Sequence, residues 1–166
     1  MHEIRATTEI DAPPEIVWRV LTAFDRYPEW NPFLTVVGRP NYGAHLVVEV
    51  RPPGRSAARF RPTVTAVERG RELRWLGHLF APGLFDGEHR FALEPLNDGD
   101  RTRFVQSESF RGALAGPLAR WLGPATERGF REMNGALKER AEAAARGELM
   151  EGIGADARTS DGGLAA

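Results

Sequence analysis

The feature that most constrains this chain is a change of period. From residue 84 to residue 111 apolar and polar residues alternate, and from Leu114 apolar residues recur every three or four positions. "LFDGEHRFALEP" and "TRFVQSESFRG" read as two half-buried strands, and the Asp98-Gly99 between them is a hairpin signal. In "ATERGFREMNGALKERAEAAAR", Phe130, Met133, Asn134, Leu137 and Ala141 share one helical face. A sheet with one apolar face therefore accompanies a long helix with one apolar stripe, and each offers what the other must bury.

The rest of the chain supplies the remaining strands. "EIRATTEI" (3–10) alternates, and "DAPPEIVWRVLTAF" turns helical, with Asp11 as the expected N-cap and Pro13 and Pro14 at the first helical positions. Pro28 and Pro32 break "DRYPEWNPF" into short helical turns. Further strands are expected near 34–39, 44–51, 59–69 and 71–79. The fold class is α+β: a curved seven-stranded antiparallel sheet around a long C-terminal helix, with two short helices after the first strand. Gly123-Pro124 predicts a kink or a break in the long helix. After Arg146 the period is lost, which predicts a domain over 1–146 and a disordered tail over 147–166.

Composition narrows the function. The 166 residues suit one domain, and a net charge of −1 with matched acids and arginines offers no basic surface for nucleic acid. The absence of cysteine excludes disulfides, thiolate metal ligands and a thiol nucleophile. No apolar run approaches membrane-spanning length and "MHEIRATTEI" lacks the core of a signal peptide, so a cytoplasmic protein without a membrane span is expected. There is no phosphate-cradling glycine loop, nucleophile elbow or metal-ligand spacing, so no cofactor and no metal are expected; a His78/His89 metal site is disfavoured on the same ground.

The order of elements, with "APPEIVWRVLTAFDRYPEWNPF" (12–33), "LFDGEHRFALEP" (84–95), "TRFVQSESFRG" (102–112) and "GFREMNGALKER" (129–140), resembles the Bet v 1-like/START-like (SRPBCC) superfamily, in its polyketide cyclase/dehydrase-like branch. The resemblance covers about residues 1–146. It implies a helix-grip fold with a cavity between sheet and helix that holds an apolar or aromatic molecule. Members of that superfamily carry lipids, bind hormones, cyclise polyketides or assist chaperones, so the scaffold does not select among these.

One face of "FDGEHRF" carries Phe85, Gly87, His89 and Phe91, a histidine on an apolar face. If Asp98-Gly99 turns the hairpin, Leu93 faces Phe104, Phe91 faces Gln106, and His89 faces Glu108. An imidazole and a carboxylate then share the concave face, either as a catalytic proton-transfer pair or as a polar pair that orients a ligand or holds the sheet together. Pro95 warns of a bulge in that pairing. Ligand contacts are expected from Trp30, Phe33, Trp75, Phe85, Phe91, Phe104, Gln106, Trp121, Phe130 and Asn134, although core packing accounts for aromatics equally well. Gly129 and Gly135 either leave room for a ligand or permit close packing. The reading that follows is a binding or carrier protein for a small hydrophobic, aromatic or lipid-like molecule. The alternatives are a cyclase or dehydratase using His89 and Glu108, and a chaperone-activating interaction module, which a filled cavity and an apolar outer patch would favour.

Overall fold

A computed structural model describes residues 2–79 and 81–148. In chain order the elements are β1 (His2–Ile10), α1 (Pro14–Thr22), a 3-10 turn (Phe24–Glu29), β2 (Leu34–Val37), β3 (Val47–Val50), β4 (Ala58–Phe60), β5 (Thr63–Glu68), β6 (Glu72–Leu79), β7 (Phe85–Leu96), a tight turn (Asn97–Gly99), β8 (Arg101–Arg111) and α2 (Ala115–Ala145). One antiparallel sheet runs β1-β8-β7-β6-β5 and a smaller one runs β2-β3-β4. The helix α2 packs on the inner face.

Eight strands appear among the described residues because the stretch expected as one strand over 59–69 divides at Arg61-Pro62. Pro62 has no N–H for a ladder, and its carbonyl instead accepts the Leu46 N–H at 2.9 Å. β4 stays in the small sheet, β5 joins the large one, and a single His45–Thr63 bridge links them. This division opens a gap between the two sheets.

The β7–β8 register is the one expected, with His89 opposite Glu108 and Phe91 opposite Gln106. The loop is longer than two residues. Leu96 and Arg101 form the last pair, Asn97 and Asp98 take φ of 49° and 56°, and the Asp100 N–H donates to Asn97 O at 3.2 Å. Pro95 causes no bulge, since the pairing continues through Thr102. The Leu93 N–H donates to Arg71 O, so Leu93 and Pro95, two residues apart, both aim their backbone nitrogens at the β6 side. β6 has no partner there beyond Glu72 opposite Ala92, so the missing N–H disturbs nothing.

One helix expectation is corrected, and of the kink or break expected at Gly123-Pro124 the break does not occur. Pro13, not Asp11, is the N-cap of α1, and it makes no side-chain cap bond. Asp11 lies too early to cap; its N–H donates to Glu142 Oε1 at 2.9 Å and its carboxylate accepts Arg101 Nε at 2.6 Å. The helix α2 runs unbroken through Pro124. Side-chain donors supply that turn: Arg55 Nη2 reaches Trp121 O at 2.8 Å and Thr126 Oγ1 reaches Leu122 O at 3.1 Å. Most of the expected tail, from residue 149 on, lies outside the described residues.

The core fills the half of the grip nearest the β7–β8 turn. Leu73, Phe91, Leu93 and Phe104 from the sheet meet Phe130, Met133, Leu137 and Ala141 from α2, with Val17 and Leu21 of α1 beside them, all buried. Each large side chain there contributes about 1.5–3 kcal/mol of apolar burial. The buried Tyr27 hydroxyl donates to Leu21 O at 2.6 Å, and burial pushes its phenol above the ordinary tyrosine range. Gly129 is a packing position, because a Cβ there would lie 2.2 Å from the Phe33 ring. Nothing lies within 4 Å of the corresponding point at Gly135. No helix among the described residues is long and apolar enough to cross a membrane.

Candidate functional site

Where the core ends, a cavity of about 610 Å³ begins. Its floor is the inner face of the large sheet, one wall is α2 at Trp121, Leu122 and Thr126, and the other is β3, β4 and the loop joining them. The inner face of β7 explains the boundary. Phe85, Gly87 and His89 line the cavity, while Phe91, two residues further along that face, is covered completely by the core. On β8 the same boundary falls between Gln106, fully buried, and Glu108, which lines the cavity with Phe110.

His89 and Glu108 meet at that boundary. His89 Nδ1 lies 3.0 Å from Glu108 Oε2. The His89 side chain is only 5% exposed and that of Glu108 is 22% exposed. Trp75 stacks on the imidazole at a centroid distance of 5.1 Å, and Phe130 meets it edge-on at 5.2 Å. Its other nitrogen, Nε2, is 3.1 Å from Gln106 Nε2. Both ring nitrogens are therefore engaged. A neutral imidazole donates from Nδ1 to the carboxylate and accepts from the Gln106 amide at Nε2. Turning that amide over would present Gln106 Oε1, which is buried without a partner, to an Nε2–H of the imidazolium.

Both members of the pair line the cavity, and Glu108 is the more exposed. Oε2 is held by His89, and Oε1 lies over Gly87, where a Cβ would stand 2.7 Å from it. No protein donor among the described residues bonds to Oε1. The imidazole, by contrast, is walled in by aromatic rings and by Gln106.

Of the expected ligand contacts, Phe33, Trp75, Phe85 and Trp121 line the cavity, as do His89 and Glu108. Phe91, Phe104, Gln106, Phe130 and Asn134 do not; they lie in the closely packed half between sheet and α2 and are completely buried. Trp30 also lies off the cavity, edge-on to Tyr27 at 5.0 Å. Asn134 reaches neither His89 nor Glu108, and its amide atoms have no partner among the described residues. His78 also lines the cavity, but its Nδ1 pairs with Asp86 Oδ1 at 2.7 Å rather than with His89. That bond, with a second from the Gly83 N–H, holds the Asp86 carboxyl below the usual aspartate range. Among the described residues no group of three or more His, Asp or Glu side chains is placed to hold a metal.

Phe110, an aromatic on the Glu108 face, also lines the cavity. The loop between β3 and β4, which lines it too, was not singled out from the sequence, because "RPPGRSA" has no period to place it. Arg55 of that loop lines the cavity and lays its guanidinium 4.1 Å above the Trp121 ring. Arg128 Nη2 donates to Pro53 O at 3.3 Å, a second tie between loop and helix.

Comparison with known proteins agrees with this architecture. The family model described as polyketide cyclase/dehydrase and lipid transport matches residues 1–142. The chain belongs to that family. Among solved structures it is similar to the ZhuI aromatase/cyclase of Streptomyces sp. R1128, at 18% identity and a TM-score of 0.68, covering 86% of this chain and 94% of that one. A START superfamily protein from Mycobacterium smegmatis gives 21% identity and a TM-score of 0.65 over 87% and 99% of the two chains. Ara h 8.0201 gives 14% and 0.63 over 84% and 97%. These identities speak for a shared helix-grip fold. No curated protein sequence matches this chain.

Proposed function

We propose that this family member binds and carries a small hydrophobic, aromatic or lipid-like molecule in the cavity between the sheet and α2. The observation that carries the reading is the cavity itself, about 610 Å³ and walled mainly by apolar and aromatic side chains. That volume matches the usual range for small-molecule sites. Lipid transport in the family's description and the START-type neighbour support the same reading. An unfilled cavity gives no support to a chaperone-activating module. The test is titration with the neutral dye N-phenyl-1-naphthylamine, beside native mass spectrometry of the purified protein. Saturable binding, abolished by filling the cavity with Val50→Trp in a folded variant, is the expected result. Binding that ignores this substitution would overturn the proposal.

A second reading, a cyclase or dehydratase, is favoured by one specific observation: Glu108 offers an unpartnered Oε1 to the cavity while His89 and Gln106 stand behind it. In this reading Glu108 is the catalytic residue, exchanging a proton with an acidic C–H or O–H of the bound molecule. His89 is the positioning residue, holding the other carboxylate oxygen. The aromatase/cyclase neighbour makes the reading worth testing. Under it, Glu108→Gln lowers turnover about a hundredfold or more, the usual scale for loss of a general acid or base.

A further inference from the structure

Resting on the binding reading, we infer that the ligand is an aromatic molecule that presents a hydroxyl to Glu108, and that the cavity discriminates against a carboxylate at that position. Three independent features converge on it. The first is the free acceptor. Glu108 Oε2 is spent on His89 Nδ1 at 3.0 Å, and Oε1 faces the cavity with no donor among the described residues. An acceptor in a mostly apolar space is satisfied by a ligand that brings a donor, and a ligand that lacks one must strip water from it without replacement.

The second is Gly87. On the inner face of β7 it is the position where a side chain would close the space over Glu108, since a Cβ would stand 2.7 Å from Oε1. The same Cβ site is 3.7 Å from the Phe110 ring, an ordinary contact, so the carboxylate is the atom group that the glycine accommodates. Gly87 therefore lets the carboxylate lie across the strand and face the cavity.

The third is the charge pattern of the lining. Glu108 and Arg55 are its residues of fixed charge type, and they sit on different walls. Arg55 is on the loop between β3 and β4, stacked on Trp121, a residue 61% exposed at the edge of the molecule. A carboxylate-bearing ligand with its acid group inward would place like charges together in a medium of low dielectric. A hydroxyl meets the same atom as a charge-assisted donor. Phe33, Trp75, Phe85 and Phe110 supply ring faces and edges around that point, which suits an aromatic body.

Three probes of one shape test this: pyrene, 1-hydroxypyrene and pyrene-1-carboxylate, titrated by fluorescence near neutral pH. The expected order is 1-hydroxypyrene tightest, at least tenfold tighter than the carboxylate, with pyrene between them. In Glu108→Gln the carboxylate should gain at least threefold, because the repelling charge is gone. In Gly87→Ala the carboxylate of Glu108 must turn aside, so 1-hydroxypyrene should lose its advantage while pyrene still binds, which shows that the cavity is intact. Carboxylate binding as tight as or tighter than the hydroxyl in the unaltered protein overturns this inference and leaves the carrier reading standing. Failure of all three probes, pyrene included, overturns the carrier reading and the inference with it.

Discussion

His89 and Glu108 face each other across β7 and β8 and both line the cavity, Glu108 being the more exposed of the two. A histidine in an apolar face suggests the reactive group; here it is enclosed by Trp75, Phe91 and Phe130 and bonded at both nitrogens. Its Nδ1 is bonded to one oxygen of the Glu108 carboxylate.

That enclosure makes Gln106 a structural necessity. Its amide is the partner of His89 Nε2 inside a fully buried environment. Gln106→Leu leaves that nitrogen unpaired, and the expected loss of stability is about 1–3 kcal/mol. Chemical denaturation should show it as a lower midpoint with an unchanged slope. A variant as stable as the parent would mean that the bond to Gln106 is dispensable.

Two helix glycines give opposite outcomes. Gly129→Ala drives a methyl into the Phe33 ring, whose atoms already stand 2.2 Å and 2.3 Å from the Cβ position. Phe33 must move, at an overpacking cost of about 1–3 kcal/mol, and since Phe33 also lines the cavity, ligand affinity falls too. Gly135→Ala meets open space in the same helix and should stabilise the protein by about 0.5–1 kcal/mol. Thermal unfolding of the two variants decides it, and matching signs would contradict the packing described.

How much of this was legible in the sequence follows from the range of the interactions involved. The register that pairs His89 with Glu108 is set by the pleat and a nearby turn, and it could be read off. The face shared by Phe130, Met133 and Leu137 is set by helical period, and it could be read as well. Which part of that face touches the sheet is a long-range matter. Phe91 and Phe85 have the same parity on the same strand, but one is core and the other is cavity wall. The difference lies in where α2 packs closely, and no local pattern encodes that. The division of residues 58–68 between two sheets escaped for a related reason: Pro62 was visible, but its consequence depends on Leu46 and His45, far back in the chain.

The outer face of the sheet makes stability depend on pH. Glu72 is largely buried, which by itself pushes its carboxyl up, but hydrogen bonds from Arg90 and Arg74 outweigh burial and the net shift is downward. Glu142 behaves alike: burial pushes it up, and Lys138 and the Asp11 N–H pull it further down. A carboxyl whose folded-state value is depressed binds protons more readily when unfolded. Its contribution is therefore complete above the ordinary glutamate range and is lost as pH falls through that range towards the depressed folded value. Stability should thus decline on acidification below about pH 5. Glu72→Gln should flatten part of that decline and cost about 1–2 kcal/mol near neutrality, the arginines being partly exposed. An unaltered acid limb in this variant would remove Glu72 from the explanation.

The loop between β3 and β4 walls the cavity, and Arg55 fastens it to α2. Pro124 has no N–H to give Arg120 O, and its ring crowds the turn. One residue on, Trp121 O takes an external hydrogen bond from Arg55, whose guanidinium also covers the Trp121 ring. The same turn of α2 forms a wall of the cavity, and Pro52, Gly54 and Ser56 of the same loop line it too. Releasing Arg55 should therefore free the loop and the helix turn together. Arg55→Ala is expected to cost less than about 1 kcal/mol of global stability, since exposed cation–π contacts are worth about 0.5–1 kcal/mol. Its larger effect is local: amide exchange should quicken at residues 54–57 and at the non-proline residues of 118–126, and dye dissociation in stopped flow should speed up severalfold. Arg55→Lys keeps the charge but lacks the planar fork that both stacks and donates, so it should resemble the alanine variant more than the parent. If dissociation is unchanged in Arg55→Ala while exchange quickens, the ligand leaves by another route and the loop is no gate.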